Sequence, residues 1–357
     1  MIPSIKKKTE ENNTLTFTLS NINTSLANAV RRTIISDIPL VVFKTFPHSE
    51  NLVDIHKNTT RLNNEILKQR LGCIPIHIDD RDFPIQDYIV EMNVTNTTDS
   101  ILYITTKDFK LKNIKSGKYA TEKTRKKIFP PNPITKDYII FARLKPKISS
   151  DLPGEELSLT AKLSWATAKE SGMFNTVSTC SYRMTPDTIV QDQQWSEISK
   201  GEKKPKDAKK NWLLLDGKRC CKKDSFDFIV ESVGIYTNNE IVSKACSIII
   251  NKLTFISEQS VQIAKSPVTI PNCFDIKLEN EDYTIGKIIE YVLYTDYFEH
   301  DKVLSFIGFK KDHPHDLHSI IRIATIEPGN VTTVHGYFVD SCKKLIKLYQ
   351  KIQLFFE

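Results

Sequence analysis

The strongest constraint on this chain is that its beginning returns near its end. Residues 15–37 (LTFTLSNINTSLANAVRRTIISD) align without a gap with residues 274–296 (FDIKLENEDYTIGKIIEYVLYTD). Identity is confined to Leu19/Leu278, Asn21/Asn280 and Asp37/Asp296, yet the pattern repeats throughout. Phe17/Ile276 keep a strand face, Asn23/Asp282 and Ser25/Thr284 keep cap positions, and Leu26/Ile285, Ala27/Gly286, Val30/Ile289 and Ile34/Leu293 keep a helical stripe. Alternation at period two followed by apolar recurrence every three or four residues reads as strand, then helix. Two copies of one strand–helix unit are predicted.

The first copy is expected to continue through a helix stopped by Pro39, a short strand over Leu40–Phe46, and a helix over Arg61–Leu71 with Gly72 as its C′ glycine. From Asp79 to Met184 the pattern changes to alternating segments (Tyr88–Val94, Ile101–Thr105, Tyr138–Leu144, Leu157–Leu163) between Pro- and Lys-rich loops. A mostly β insert is predicted there. A polar stretch over Ser199–Lys210, a strand over Phe226–Ser232 and a helix over Asn238–Ile256 follow, and Pro267 and Pro271 mark residues 259–272 as a linker. The second copy is expected to add strands at Val303–Phe309 and Ser319–Ile326 and a long helix from Asn330.

That last helix carries Val334, Phe338, Cys342, Leu345, Tyr349, Ile352 and Phe356 as a heptad-like seam, which needs another helix to cover it. The first copy offers Ile241, Ala245, Ile248, Ile249 and Leu253. The fold class is therefore α+β: two related dimerisation units forming an intramolecular pseudodimer, with a mostly β insert in the first. The expected boundaries are 1–48 with 186–258 for the first unit, 49–185 for the insert, 259–272 for the linker and 273–357 for the second unit. Leu26, Val30, Ile34, Ile285, Ile289, Leu293, Phe338, Leu345 and Ile352 are the helix positions expected to hold the pseudodimer together.

Composition excludes several classes. The 357 residues include seven Cys with no disulfide-like spacing, which fits a reducing compartment. The N-terminal stretch has no apolar core of a signal peptide, and Lys244 and Lys252 break the richest apolar run, so neither secretion nor membrane spanning is expected. With only 11 Gly and no G-x-G-x-x-G or G-x-x-x-x-G-K-[ST], nucleotide enzymes built on phosphate-cradling loops are disfavoured. Residues 268–357 hold 10 Lys and Arg against 13 Asp and Glu, so the net charge of +7 rises to +10 over residues 1–267. The excess sits in Lys6–Lys8, Lys107–Lys127 and Lys200–Lys210 without regular aromatic interleaving, consistent with solvated loops or with a basic nucleic-acid-binding protein.

Three clusters invite chemistry. Asp312-His313-Pro314-His315-Asp316-Leu317-His318 would bind a metal only if three side chains converged, and reads otherwise as a polar turn between strands. Vicinal Cys220-Cys221 lacks the C-x-x-C redox spacing and reads as two ordinary thiols. Arg31 and Arg32 lie within an apolar-striped helix, so each needs a carboxylate or phosphate partner or a place on the solvent face. No nucleophile elbow or H-E-x-x-H motif is present, and an enzyme acting alone is not expected.

Leu26-Ala27-Asn28-Ala29-Val30-Arg31-Arg32 with Ile38-Pro39, and Asn63-Asn64-Glu65 with Gln69-Arg70-Leu71-Gly72-Cys73-Ile74-Pro75, resemble the signature of alpha-type RNA polymerase subunits: the bacterial alpha type, the archaeal D type and the third subunit of eukaryotic RNA polymerase II. Residues 226–253 resemble the closing strand and helix of that family. Residues 281–287 (EDYTIGK), 308–314 (GFKKDHP) and 322–325 (RIAT) resemble its small partner, of the archaeal L type or the eleventh eukaryotic subunit. The resemblance implies that two normally separate partners are fused in one chain, as in polymerases of large DNA viruses. It implies a non-catalytic platform for the two largest subunits and small assembly subunits. It further implies an internal pseudodimer rather than a homodimer, no sequence-specific DNA contact, no membrane and no cofactor. Asn28, Arg31, Arg32, Glu65, Arg70 and Leu71, with His313 and Pro314 of the smaller half, are the implied subunit-interface residues. The implied location is intracellular: host cytoplasm and virion for a viral chain, the nucleus otherwise. The sequence departs from the family at Asn64-Glu65 (Asp-Glu), Gln69-Arg70 (His-Arg) and Tyr283-Thr284-Ile285-Gly286-Lys287 (His-Thr-Leu-Gly-Asn). Residues 74–179 contain no Cys, so the four-cysteine metal loop of many relatives is excluded there on ligand count.

Overall fold

The structure, a computed structural model, describes residues 2–149, 153–200, 205–259 and 261–357. Contacts divide the chain into two compact units: Met1–Ile35, Val177–Ser232 and Asn238–Glu357 form one, and Ser36–Thr176 with Val233–Thr237 the other. The first unit opens with β1 (Ser4–Glu11), β2 (Thr14–Ser20) and α1 (Thr24–Ser36). Leu15, Phe17 and Leu19 of β2 and Leu26, Val30 and Ile34 of α1 are buried, as their periodicities require.

The second unit contains β3 (Leu40–Val42), β4 (Val53–Asn58), α2 (Asn64–Gly72), β5 (Tyr88–Thr95), β6 (Leu102–Thr105), β7 (Lys110–Asn113), α3 (Glu122–Ile128), β8 (Ile140–Leu144), β9 (Glu156–Lys162) and β10 (Ser164–Ala166). β4, β9, β5 and β7 make an antiparallel sheet in that order, with β6–β8 and β3–β10 as two-stranded ribbons. Its core is aromatic: Phe109 meets Phe43, Phe129 and Phe141 edge-on. Helix α2 starts later than Arg61 because the Asn63 side chain caps it, accepting from the Ile66 amide at 2.8 Å. Gly72 is the last helical residue rather than a C′ glycine; a Cβ there would lie 3.0 Å from Met173 Sδ, so close packing explains the glycine. The strand expected over Leu40–Phe46 ends at Val42, where pairing with β10 stops.

The chain then returns to the first unit with β11 (Val177–Pro186), α4 (Thr188–Ile198), α5 (Pro205–Leu214), β12 (Cys221–Ser232) and α6 (Asn238–Glu258). β13 (Gln262–Lys265), β14 (Cys273–Glu279), α7 (Tyr283–Leu293), β15 (Leu304–Lys310), β16 (His318–Thr325) and α8 (Val331–Gln353) complete it. The chain joins the first-unit sheet from Val177 onwards, where the sequence pattern placed the change at 185/186, because all of β11 pairs with β12. The stretch 259–272 contributes β13, which pairs with β14 from Gln262↔Lys277 to Lys265↔Phe274. Helices α4 and α5 are elements that the sequence pattern did not announce. Part of the polar run Ser199–Lys210, residues 201–204, lies outside the described residues.

Two four-stranded sheets of this unit share one topology. The first has the order β1-β2-β12-β11 and the second β13-β14-β16-β15, all antiparallel. In each, the second strand leads into a short helix (α1, α7) and the third into a long one (α6, α8). The strand-to-helix corner repeats as well: Asn21 has φ +62° and Asn280 φ +58°. Asparagine reaches this left-handed region more readily than other residues with a Cβ, since its short amide can bond locally.

Candidate assembly interface

Helices α6 and α8 pack side by side, and α7 packs on α8. Leu26, Val30, Ile34, Ile285, Ile289, Leu293, Phe338, Leu345 and Ile352 are each 0 % exposed. At the centre lies Tyr349 of α8, wholly buried, whose hydroxyl donates to the Leu26 carbonyl of α1 at 3.2 Å. Burial drives its phenol pKa well above the ordinary value, with the Cys246 thiol of α6 adding to the effect, so it stays a neutral donor. Gln353 Nε2 donates to Ser247 Oγ at 3.2 Å, and Phe356 meets Phe17 edge-on at 4.9 Å.

Polar contacts close the edges. Arg32 of α1 donates from Nη2 to Asp282 Oδ2 at 2.9 Å and from Nε to Thr284 Oγ1 at 2.8 Å, at the N-terminus of α7. Asp282 is also the N-cap of that helix, accepting from the Thr284 amide at 2.8 Å. Lys252 of α6 lies 3.7 Å from Glu281. Lys8 of β1 donates to the Phe355 carbonyl at 2.9 Å and sits over the Phe356 ring.

The residues singled out as subunit contacts fall into separate places. Asn28 and Arg31 form a half-buried pair on α1, with Arg31 Nε and Nη2 both donating to Asn28 Oδ1 at 3.0 and 2.9 Å. Arg32 engages Asp282 and Thr284 of its own chain, a partner that sequence reasoning sought elsewhere; the aligned cap positions Asn23/Asp282 were the signal for it. In the second unit, Glu65 is exposed in the first turn of α2 and Arg70 donates to the Phe141 and Ile140 carbonyls at 2.8 and 3.0 Å. Leu71 is directed into that unit's core, 1 % exposed, because helical geometry turns it away from the face of Arg70. His313 and Pro314 are exposed in the β15–β16 turn, where His313 Nδ1 accepts from the His315 amide at 3.1 Å. Among the described residues no three His, Cys, Asp or Glu converge to hold a metal ion, and no helix is long and apolar enough to cross a membrane.

This geometry defines a mixed α+β protein of the dimerisation-domain class, carrying a second, largely β unit. The chain belongs to the RNA polymerase Rpb3/Rpb11 dimerisation domain family, whose profile matches residues 16–253. It is 26% identical over 295 residues to "DNA-directed RNA polymerases I and III subunit RPAC1" of Saccharomyces cerevisiae, covering 67% of this chain and 82% of that protein. The human protein of the same description is 25% identical over 68% of this chain and 80% of its own length. The Dictyostelium discoideum "DNA-directed RNA polymerase II subunit rpb3" is 24% identical over 71% of this chain and 93% of its own length. The chain is thus homologous to subunits of multisubunit DNA-directed RNA polymerases.

Proposed function

We propose that this chain is a non-catalytic assembly-platform subunit of a DNA-directed RNA polymerase, and that its first unit is an intramolecular pseudodimer. Residues 1–258 supply the larger partner, with the largely β unit inserted, and residues 273–357 supply the smaller one. The observation that carries the reading is the repeated sheet order with its equivalent short and long helices, closed over Tyr349. A surface of this kind, buried within one chain, removes the association step that two separate partners would need. The outer faces are left to recruit the two largest subunits and small assembly subunits. Asn28 and Arg31 on α1, Glu65 and Arg70 near α2, and the His313–Pro314 turn are the contacts assigned to that role. The fused arrangement resembles polymerases of large DNA viruses, and on that reading the complex works in host cytoplasm and virion.

Affinity purification of the tagged chain from its native source tests this. The two largest polymerase subunits should accompany it in stoichiometric amount, and the isolated chain should sediment as a monomer. A tight homodimer, or a salt-sensitive DNA complex without those subunits, replaces the reading with another.

A further inference from the structure

The second unit carries a groove of about 640 Å³ along the β6–β8 ribbon, bordered also by Arg61 and Leu62 ahead of α2 and by Arg70 in its last turn. On the ribbon's outer face Tyr103 lies directly across from Arg143, with Ile101 two residues before Tyr103. Ile101 is 53% exposed and Tyr103 49%, so an apolar strip faces solvent. Four cations line this groove, Arg61, Arg70, Arg143 and Lys145, against one carboxylate, Glu155.

The carboxylate is already engaged. Glu155 Oε2 accepts from the Lys145 amide at 2.9 Å, and its Oε1 lies 3.8 Å from Lys145 Nζ. Arg70 is likewise occupied with the Ile140 and Phe141 carbonyls. The guanidinium groups of Arg61 and Arg143 have no hydrogen bond or ion pair among the described residues, although both residues line the groove. The Lys145 amide and carbonyl both turn toward Glu155, and residues two apart on a strand direct their backbone groups to the same edge. Arg143 therefore presents one main-chain donor and acceptor at the groove beside its unpaired guanidinium.

We propose that this groove docks an extended protein segment whose every second residue faces the groove, with Asp or Glu and aliphatic residues taking turns along that face. Carboxylates on that face of the segment meet Arg61 and Arg143, which match them in bidentate geometry, and the aliphatic side chains of the same face cover Ile101 and Tyr103. A nucleic-acid strand fits less well, because the strip offers one aromatic ring and otherwise aliphatic side chains on which bases cannot stack. The proposal rests on the assembly reading only for the origin of the segment.

Fluorescence anisotropy of the full chain with a labelled peptide that carries Glu and Val or Ile in turn at every second position, with Ser between, tests it, with the Lys-for-Glu peptide and a short single-stranded DNA as comparators. The acidic peptide should bind saturably and lose about tenfold in affinity at high salt. It should lose about tenfold more in Arg61→Glu/Arg143→Glu, whose unfolding midpoint should match the parent. Tyr103→Ala, leaving the charges intact, should weaken binding about threefold or more. Equal binding of the two peptides, preference for the DNA, or an unaffected double variant overturns the proposal. Recruitment of the large subunits is scored separately by co-purification. A chain that binds the peptide but recruits no subunit sinks the polymerase reading and spares the groove; the reverse outcome sinks the groove alone.

Discussion

Arg32 and Asp282, far apart in sequence, meet at 2.9 Å so that a guanidinium from one helix secures the residue that caps another. Asp282 also satisfies the Thr284 amide, so one carboxylate serves both the cap and the tie. The side chains of the pair are 40% and 31% exposed, so screening keeps the ion pair's own contribution small. Arg32→Ala is expected to cost about 0.5–1 kcal/mol. Asp282→Ala should cost more, about 1–2 kcal/mol, because the helix loses its cap as well. Urea denaturation of both single variants and the double variant checks this. The cycle should return a favourable coupling energy, and strictly additive losses would show that the two residues do not act together.

Gly286, aligned with Ala27 of the first copy, has no room for even a methyl group. A Cβ there would stand 1.9 Å from Phe309 Cε2. Gly286→Ala should destabilise the chain by about 1–3 kcal/mol through overpacking, despite the better helix propensity of alanine. Phe309→Leu in the same chain should recover part of the loss. Thermal unfolding of the three variants reads both effects; an alanine variant as stable as the parent would mean that the ring moves aside freely.

What could be read from the sequence follows from where the apolar residues are. The repeat was legible because Leu26, Val30 and Ile34 and their counterparts Ile285, Ile289 and Leu293 must all be buried, and the shared asparagine corner at Asn21 and Asn280 is a backbone requirement visible as identity. Strand β1 was not legible: in SIKKKTEE most side chains are exposed on both faces, so its place comes from pairing with β2 and leaves no alternation. Helices α4 and α5 meet through Trp195 and Trp212, a contact that no local periodicity announces. Gly72 carried the sign of a helix end, yet tertiary contact with Met173 is what keeps it small. Of the interface residues, the position of Arg70 on α2 was legible, but its attachment to the Phe141 carbonyl depends on a strand seventy-one residues away.

Thiol chemistry gives a test of helix packing. Cys246 on α6 and Cys342 on α8 are 0 % exposed, and burial pushes each thiol up to about 12, whereas Cys73 is exposed. Since the thiolate is the nucleophile, iodoacetamide at mildly alkaline pH should modify Cys73 and leave Cys246 and Cys342 untouched. Leu345→Ala removes a fully buried side chain from α8 and should cost about 2–5 kcal/mol. In that variant Cys246 and Cys342 should become reactive together as the helices open. Peptide mass mapping after timed alkylation decides it, and rapid labelling of Cys342 in the parent chain would contradict the packing.

The bidentate pair Arg322–Asp275, both bonds 2.7 Å, joins β16 to β14 and sets an acid limit on this sheet. The Arg322 guanidinium holds the Asp275 carboxyl below its ordinary value of 3.8, against the opposing effect of burial. A carboxyl with a depressed folded pKa contributes stability that is fully present above its unfolded pKa and is lost as pH falls through the folded one. Stability should therefore be level in this respect near neutrality and decline below about pH 4. Asp275→Asn should cost about 1–3 kcal/mol at neutral pH and less as the pH drops, because the parent loses the same interaction. Denaturation midpoints of parent and variant followed from neutrality to acid should converge. Parallel curves over that range would show that Asp275 is not the group whose protonation is felt.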